Sequence, residues 1–393
     1  MSISKKIKAA SSQSSMIRKM FEEGAALKMK YGADQVFDFS LGNPNVEPPE
    51  AFKKELINIA GRVISNKHGY MPNAGYPETR QAIAEKINKT HGLQLSGDHV
   101  IMSCGAGGAL NVILKSILDP QDEVIVPTPF FMEYTSYIDN FGGIIRKVKT
   151  KTDFSLDVAA IAAAITDKTK AVLINSPNNP TGKVYSEKNI TDLAWHLTEK
   201  NREMKRTIYL VSDEPYSEIV YDNIIVPGIL KAYKNSIIAY SYSKTLSLPG
   251  ERIGYIAVNP DIEEAGDLLN ALILCTRILG FVNAPALMQR IVAKLQDTKV
   301  DVDVYKRKRD LICSGLEKAG YKFEKPMGAF YLFPASPIPD DVEFVQMLVK
   351  RNILVVPGSG FGSPGYFRIA FCVDDATILN SLEGFTATIK ECK

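Results

Sequence analysis

The chain has 393 residues, a formal net charge of +3, 45% hydrophobic and 23% charged residues. This is length for a large core and the composition of an ordinary globular protein, not of a disordered or fibrous one. The near-neutral charge points to neither nucleic acid nor a membrane surface as a partner. Five scattered cysteines (Cys104, Cys275, Cys313, Cys372, Cys392) and four histidines make no CxxC or Cys/His spacing. Reduced thiols, a cytoplasmic location and no metal site are therefore expected. The Lys/Ser-rich start, Met1 to Ser15, lacks the apolar centre of a secretory signal. No apolar run reaches membrane-spanning length.

Apolar residues Met16, Ile17, Met20, Phe21, Ala25, Leu27 and Met29 predict a helix over 14–31. Next comes Leu41-Gly42-Asn43-Pro44, an extended segment broken by Gly and Pro. Bare glycine backbone can approach a ligand closely, although for the string alone a plain turn is the better reading. A helix over about 49–64 leads to the Gly/Pro-punctuated loop His68–Arg80, which carries Tyr70. From residue 100 short apolar runs alternate with helices. Strand Val100–Ser103 enters Cys104-Gly105-Ala106-Gly107-Gly108, which opens a helix to about Leu118. Glycine-rich backbone at a helix start is an anion site. The spacing is neither that of a P-loop nor that of a dinucleotide fingerprint. Strand Glu123–Val126 runs into Pro127-Thr128-Pro129-Phe130-Phe131-Met132-Glu133-Tyr134. A strand over 144–148 and a helix over 156–165 follow.

A buried strand, Ala171–Ile174, then empties into Asn175-Ser176-Pro177-Asn178-Asn179-Pro180-Thr181-Gly182. Such a turn puts polar side chains at the carboxyl end of a sheet. Helix 190–200 and strand 207–211 precede Ser212-Asp213-Glu214-Pro215-Tyr216. Strand Ile237–Tyr240 delivers Ser241-Tyr242-Ser243-Lys244, with Arg252 eight residues beyond the lysine. Desolvation disfavours an ammonium, and a neutral amine can form a Schiff base. Two hydroxyls and a guanidinium suit a phosphate dianion. An imine-forming lysine beside a phosphate site suggests pyridoxal phosphate; a surface Ser/Lys loop is the alternative for the lysine alone. After strand Ile253–Val258 the chain is helical to about Leu295 with a break near 280–285. A strand over Met327–Phe333 and a helix over 342–350 follow. Arg368 sits in the apolar string Phe367-Arg368-Ile369-Ala370-Phe371, where a buried guanidinium needs an anion. A substrate carboxylate or a plain salt bridge would serve. The strand–helix alternation from about 100 to 258 argues for a largely parallel α/β sheet.

The Ser-x-Ser-Lys…Gly-x-Arg-x-Gly string, the Asn175–Gly182 string and Asp-Glu-x-Tyr, in order from Gly42 to Arg368, resemble the class I/II pyridoxal-phosphate-dependent aminotransferases. The likeness is to the aspartate aminotransferase type, of fold-type I. It implies an α/β fold with a large domain, a mostly parallel seven-stranded sheet between helices, and a smaller α/β domain from both chain ends. The implied division is 1–49, an N-terminal arm and part of the small domain; 50–298, the large cofactor domain; and 299–393, the rest of the small domain, with a connector helix near 290–315. The resemblance implies that Lys244 carries pyridoxal 5'-phosphate and moves the Cα proton. Asp213 would keep the ring nitrogen protonated, Tyr216 and Asn179 would bind the phenolic oxygen, and Phe131 would stack on the ring. Gly105, Ala106, Gly107, Ser241, Ser243 and Arg252 would hold the phosphate, with Tyr70 reaching the phosphate of the partner in a homodimer. Gly42, Asn179 and Arg368 would bind the substrate carboxylate. Arg277 and Asn283 fall toward the neighbouring subunit's site.

The reaction so implied moves an amino group between an L-amino acid, with a lean toward aspartate, and a 2-oxo acid such as 2-oxoglutarate. It would be ping-pong through pyridoxamine phosphate. A β-eliminating C–S lyase or a cyclopropane-carboxylate synthase could use the same scaffold; the lyase would release pyruvate and ammonia without an acceptor. A non-catalytic cofactor-binding regulator would bring an added DNA-binding domain, for which little sequence precedes the first motif. A nicotinamide oxidoreductase would need a G-x-G-x-x-G after a strand, which the chain lacks.

Overall fold

Seven strands form one sheet in the order Val100–Ser103, Gly254–Val258, Ser236–Ser241, Tyr209–Asp213, Thr169–Asn175, Glu123–Thr128, Ile144–Lys149. All neighbours pair in parallel except Gly254–Val258, which is antiparallel to both of its own. The protein is described by a computed structural model covering residues 3–12 and 16–392. The inner strands read as near-continuous apolar runs because helices cover both faces of the sheet. Successive residues feed opposite cores: Val172, Ile174 and Leu210 pack on one side, Leu173 and Val211 on the other. Helix Glu187–Met204 covers the first side through Leu193 and Leu197. Helix Gly105–Ile117 covers the second through Leu110 and Ile113.

A third core, with Phe39, Phe344, Phe367 and Phe385, draws on both ends of the chain and takes in Phe154, Tyr216, Ile219 and Tyr221 from the middle. Strand Phe37–Asp38 pairs in parallel with Ile353–Leu354. Tyr331–Leu332 and Val356–Pro357 flank Phe367–Ala370 in an antiparallel sheet. This α/β arrangement, a seven-stranded mostly parallel sheet plus a smaller unit from both termini, agrees with the sequence expectation.

Several elements differ from expectation. The N-terminal helix is Met16–Tyr31, residues 14 and 15 lying outside the described residues, and a further helix spans Lys5–Ser12. The helix expected over 156–165 is Val158–Ala163, capped by the Asp157 side chain accepting from the Ala160 N–H. The strand expected over Met327–Phe333 shrinks to Tyr331–Leu332. The Met327 and Gly328 N–H groups donate to the Gly182 carbonyl and that of Ala329 to Ile219, so this stretch ties the two units together instead of extending a ladder. The connector is not one helix over 290–315. Helix Ala286–Val292 ends, and Val302–Ala319 begins at an Asp301 cap. In the gap the Val300 N–H donates to the Thr245 carbonyl, one residue beyond Lys244. Among the described residues no helix is long and apolar enough to cross a membrane.

Candidate active site

The carboxyl ends of three parallel strands deliver polar groups to one edge of the large sheet, where open α/β sheets bind ligands. Register sets Asn175 beside Asp213. The Asn175 amide donates to the Asp213 carbonyl at 2.8 Å, and its Oδ1 accepts from the Asn179 N–H at 2.7 Å. One strand over, Ser241 caps the single helical turn Tyr242–Thr245, its Oγ accepting from the Ser243 N–H at 3.1 Å. A cavity of about 310 Å³ opens between this edge and the smaller unit.

Lys244 projects from that turn into the cavity. Its Nζ donates to the Gly42 carbonyl at 2.8 Å and lies 5.5 Å from the Phe330 ring centre. Desolvation of the amine lowers its pKa to about 8, and the charges of Arg252 and Arg368 push the same way. Asp213 is buried at the cavity wall. Its Oδ2 accepts from the Tyr134 hydroxyl at 2.5 Å, while Oδ1 has no partner among the described residues. Burial raises its carboxyl to about 7, and the Tyr134 hydrogen bond opposes that rise.

Arg368 is 2% exposed and its partners are neutral: Nη1 donates to Asn179 Oδ1 at 3.1 Å and Nη2 to the Ser40 carbonyl. Its Nε has no partner among the described residues. The guanidinium lies 4.8 Å from the ring centres of both Tyr331 and Phe361. The salt bridge that sequence left open for Arg368 is therefore not what holds it. Burial lowers its pKa, the direction expected of a desolvated cation that lacks a counter-ion.

At the other end of the cavity, helix Gly105–Ile117 starts after Cys104 with no side-chain cap, and Ala106 and Gly107 line the wall. Ser241 and Ser243 hydroxyls stand 2.7 Å apart. The exposed Arg252 donates to the Pro249 carbonyl at 2.9 Å. Gly105 does not line the cavity: its φ is +73°, and a Cβ there would lie 2.8 Å from Arg252 Nη2, so it makes room for the guanidinium. Phe131 lines the wall and meets Tyr134 edge-on at 5.6 Å.

Thus Gly42, Ala106, Gly107, Phe131, Asn179 and Asp213 converge on one cavity. Tyr216, Ser241, Ser243, Lys244, Arg252 and Arg368 join them there. Tyr70 does not: it is 86% exposed on its loop. Arg277 is exposed on helix Ala265–Ile278. Asn283 donates to the Met71 and Pro72 carbonyls of its own chain, bracing the loop that carries Tyr70.

The family model for aminotransferases of class I and II matches residues 34–385. The chain belongs to this family. The aminotransferase is 33% identical over 365 residues to a probable aspartate aminotransferase of Methanocaldococcus jannaschii, covering 90% of this chain and 92% of the relative. It is 31% identical to the aspartate/prephenate aminotransferase of Thermus thermophilus, covering 93% and 94%. Among solved structures, an aminotransferase from Eubacterium rectale superposes with a TM-score of 0.96 at 38% identity, over 100% of this chain and 99% of that one. Aspartate aminotransferase from Thermus thermophilus with maleate superposes with a TM-score of 0.87 at 27% identity, over 99% and 100%.

Sequence reading of this aminotransferase missed Tyr134, Asn175 and Tyr331. Tyr134 lies three positions beyond Phe131 in a string already singled out, and Asn175 opens the turn string that carries Asn179. Tyr331 sits in a stretch that reads only as an apolar strand; no local signal marks it.

Proposed function

We propose that this aminotransferase uses pyridoxal 5'-phosphate, held at the carboxyl edge of the large sheet, to exchange an amino group between an L-amino acid and a 2-oxo acid. The observation that carries the reading is the meeting, in one cavity, of a low-pKa lysine amine with two buried ionisable side chains, Asp213 and Arg368, each with one polar atom that has no partner among the described residues. The residues fit the cofactor. A cationic ring nitrogen would give Asp213 Oδ1 the partner it lacks. A phosphate dianion suits two adjacent hydroxyls, a helix start and Arg252.

When bound, the cofactor supplies an electron sink for the carbon that loses its proton. Everything else falls to the chain. Lys244 holds the cofactor and then shuttles the Cα proton, because a pKa near 8 leaves a useful neutral fraction at neutral pH. Asp213 favours the charged ring nitrogen. Tyr216 and Asn179 would hold the phenolic oxygen, and Phe131 would pack on the ring. Arg368, stripped of acidic partners, takes the α-carboxylate in a bidentate pair.

An aspartate-like donor is supported by the names of relatives, which include aspartate and aspartate/prephenate aminotransferases. A homodimer with shared sites is supported by the exposed Tyr70 on a braced loop outside its own chain's cavity. The division at residues 50 and 298 is proposed because one core runs from Phe52 to Leu295 while the other takes Met20, Phe39 and residues from Val300 on, with Phe154, Tyr216, Ile219 and Tyr221 crossing the boundary. The test is a panel of amino donors against 2-oxoglutarate with added cofactor, read by absorption spectra and product analysis. Stoichiometric exchange of donor for 2-oxo acid is expected. Pyruvate and ammonia released without an acceptor would assign the lyase chemistry instead.

A further inference from the structure

Tyr331 stands between the two halves of the site. Its strand pairs antiparallel with Phe367–Ala370, Tyr331 opposite Ala370. Arg368 is two residues from Ala370 and so projects on the same face, within diagonal reach of an aromatic side chain. The Arg368 guanidinium lies 4.8 Å from the Tyr331 ring centre and 4.8 Å from that of Phe361. At its far end the Tyr331 hydroxyl is 2.7 Å from that of Tyr216, with the rings edge to face at 5.6 Å. The side chain has no freedom there. It is 2% exposed, and a Cβ on Gly42 would come within 2.0 Å of the hydroxyl.

Of two hydroxyls in one hydrogen bond, one donates and the other accepts. A Tyr216 that donates toward the cofactor's phenolic oxygen must accept from Tyr331. We propose that Tyr331 is a positioning residue: its hydroxyl fixes the direction of the Tyr216 proton, and its ring face fixes the plane of Arg368. The inference rests on the reading that Tyr216 serves the cofactor and Arg368 the α-carboxylate. One buried side chain thereby aligns the cofactor oxygen with the substrate carboxylate. Burial raises the Tyr331 pKa to about 12 against the pull of the Arg368 charge, so the proton it donates is in place at neutral pH.

The test uses holoenzyme and separates hydroxyl from ring. The visible band of the lysine-bound cofactor titrates with pH, and the hydrogen bond from Tyr216 favours its deprotonated form. Tyr331→Phe should raise the apparent pKa of that band by about half to one unit. It should leave affinity for an unreactive 2-methyl amino acid within about twofold, since the ring remains. In a Tyr216→Phe background it should add no further shift, as required of a residue acting through Tyr216. Tyr331→Leu, or Tyr331→Met if the leucine variant does not fold, removes the ring face and should weaken the 2-methyl amino acid about three- to thirtyfold. An unshifted band in Tyr331→Phe, or an equal shift in both backgrounds, overturns the hydroxyl role; unchanged analogue affinity without the ring overturns the other. A wild-type protein with no such band overturns the cofactor reading and this inference with it. A normal wild-type band with the failures above overturns this inference alone.

Discussion

The Tyr134 hydroxyl donates to Oδ2 of Asp213 at 2.5 Å, while Oδ1 of the same carboxylate has no partner among the described residues. Helix Glu133–Asp139 and strand Tyr209–Asp213 bring the pair together across 79 positions of sequence. The bond favours the charged carboxyl, which burial has raised to about 7. Tyr134→Phe should therefore raise that pKa further and leave less carboxylate to hold a cationic ring. A hydrogen bond to a charged group contributes about 1.5–3 kcal/mol, so retention of pyridoxal phosphate should fall about tenfold or more. Equilibrium dialysis checks this; unchanged affinity would mean that Tyr134 only packs.

Asp213 also sets a pH dependence in the cofactor-free protein. Its carboxyl moves from 3.8 to about 7 on folding. Between those values the folded state keeps a proton that the unfolded chain has lost, so this stabilisation is full at low pH and drains away as pH rises toward 7. Lys244 works in the opposite sense. Its pKa falls from 10.5 to about 8, so its unfavourable contribution is relieved as pH rises across that window. Cofactor-free Asp213→Asn should melt above wild type near pH 8, by a margin that shrinks as pH falls through 7 and closes only toward pH 4. In the holoenzyme the same variant should lose about ten- to a hundredfold in kcat with little change in KM. A raised KM with normal kcat would reduce Asp213 to a structural group.

Arg368 is held by neutral groups and two rings, an arrangement that leaves its charge for a ligand. Removing one partner of a buried, hydrogen-bonded charge pair costs about 2–5 kcal/mol. Arg368→Met should lower kcat/KM for amino acids at least about thirtyfold. Thermal stability of the cofactor-free protein should hold or rise, since a desolvated cation without a counter-ion is removed. A large drop in melting temperature would point to a structural role instead.

Tyr70 tests the proposed sharing of sites in a homodimer. Lys244→Ala should abolish transamination, and Tyr70→Phe should weaken cofactor binding or slow turnover on its own. In a mixed dimer of the two variants, one site carries both lesions and the other neither. About half the wild-type activity per mixed dimer should then return, as expected of a twofold interface. If Tyr70→Phe is impaired and verified subunit exchange restores nothing, Tyr70 acts within its own chain.

The sequence by itself determined the strand-to-turn strings, because Pro, Gly and Asn punctuation and short apolar runs act locally. These strings put Lys244, Asp213, Asn179 and Arg252 beside strand ends whatever the packing. Arg368 was legible too, since a cation in an apolar strand stands out against its neighbours. The tertiary structure decided partners and exposure. Tyr331 meets Tyr216 across 115 positions through packing of the smaller unit on the large one, and Asn175 meets Asp213 across 38 through strand register; no local pattern encodes either. It added for Gly105 a role as clearance for Arg252, and turned Met327–Ala329 from strand into a tie between two units. It also showed Arg368 among neutral partners, where sequence had left a salt bridge open. A residue type announces the chemistry it can perform, whereas a hydrogen-bond partner or a clearance of a few ångströms is fixed only when distant segments pack at close-packed density.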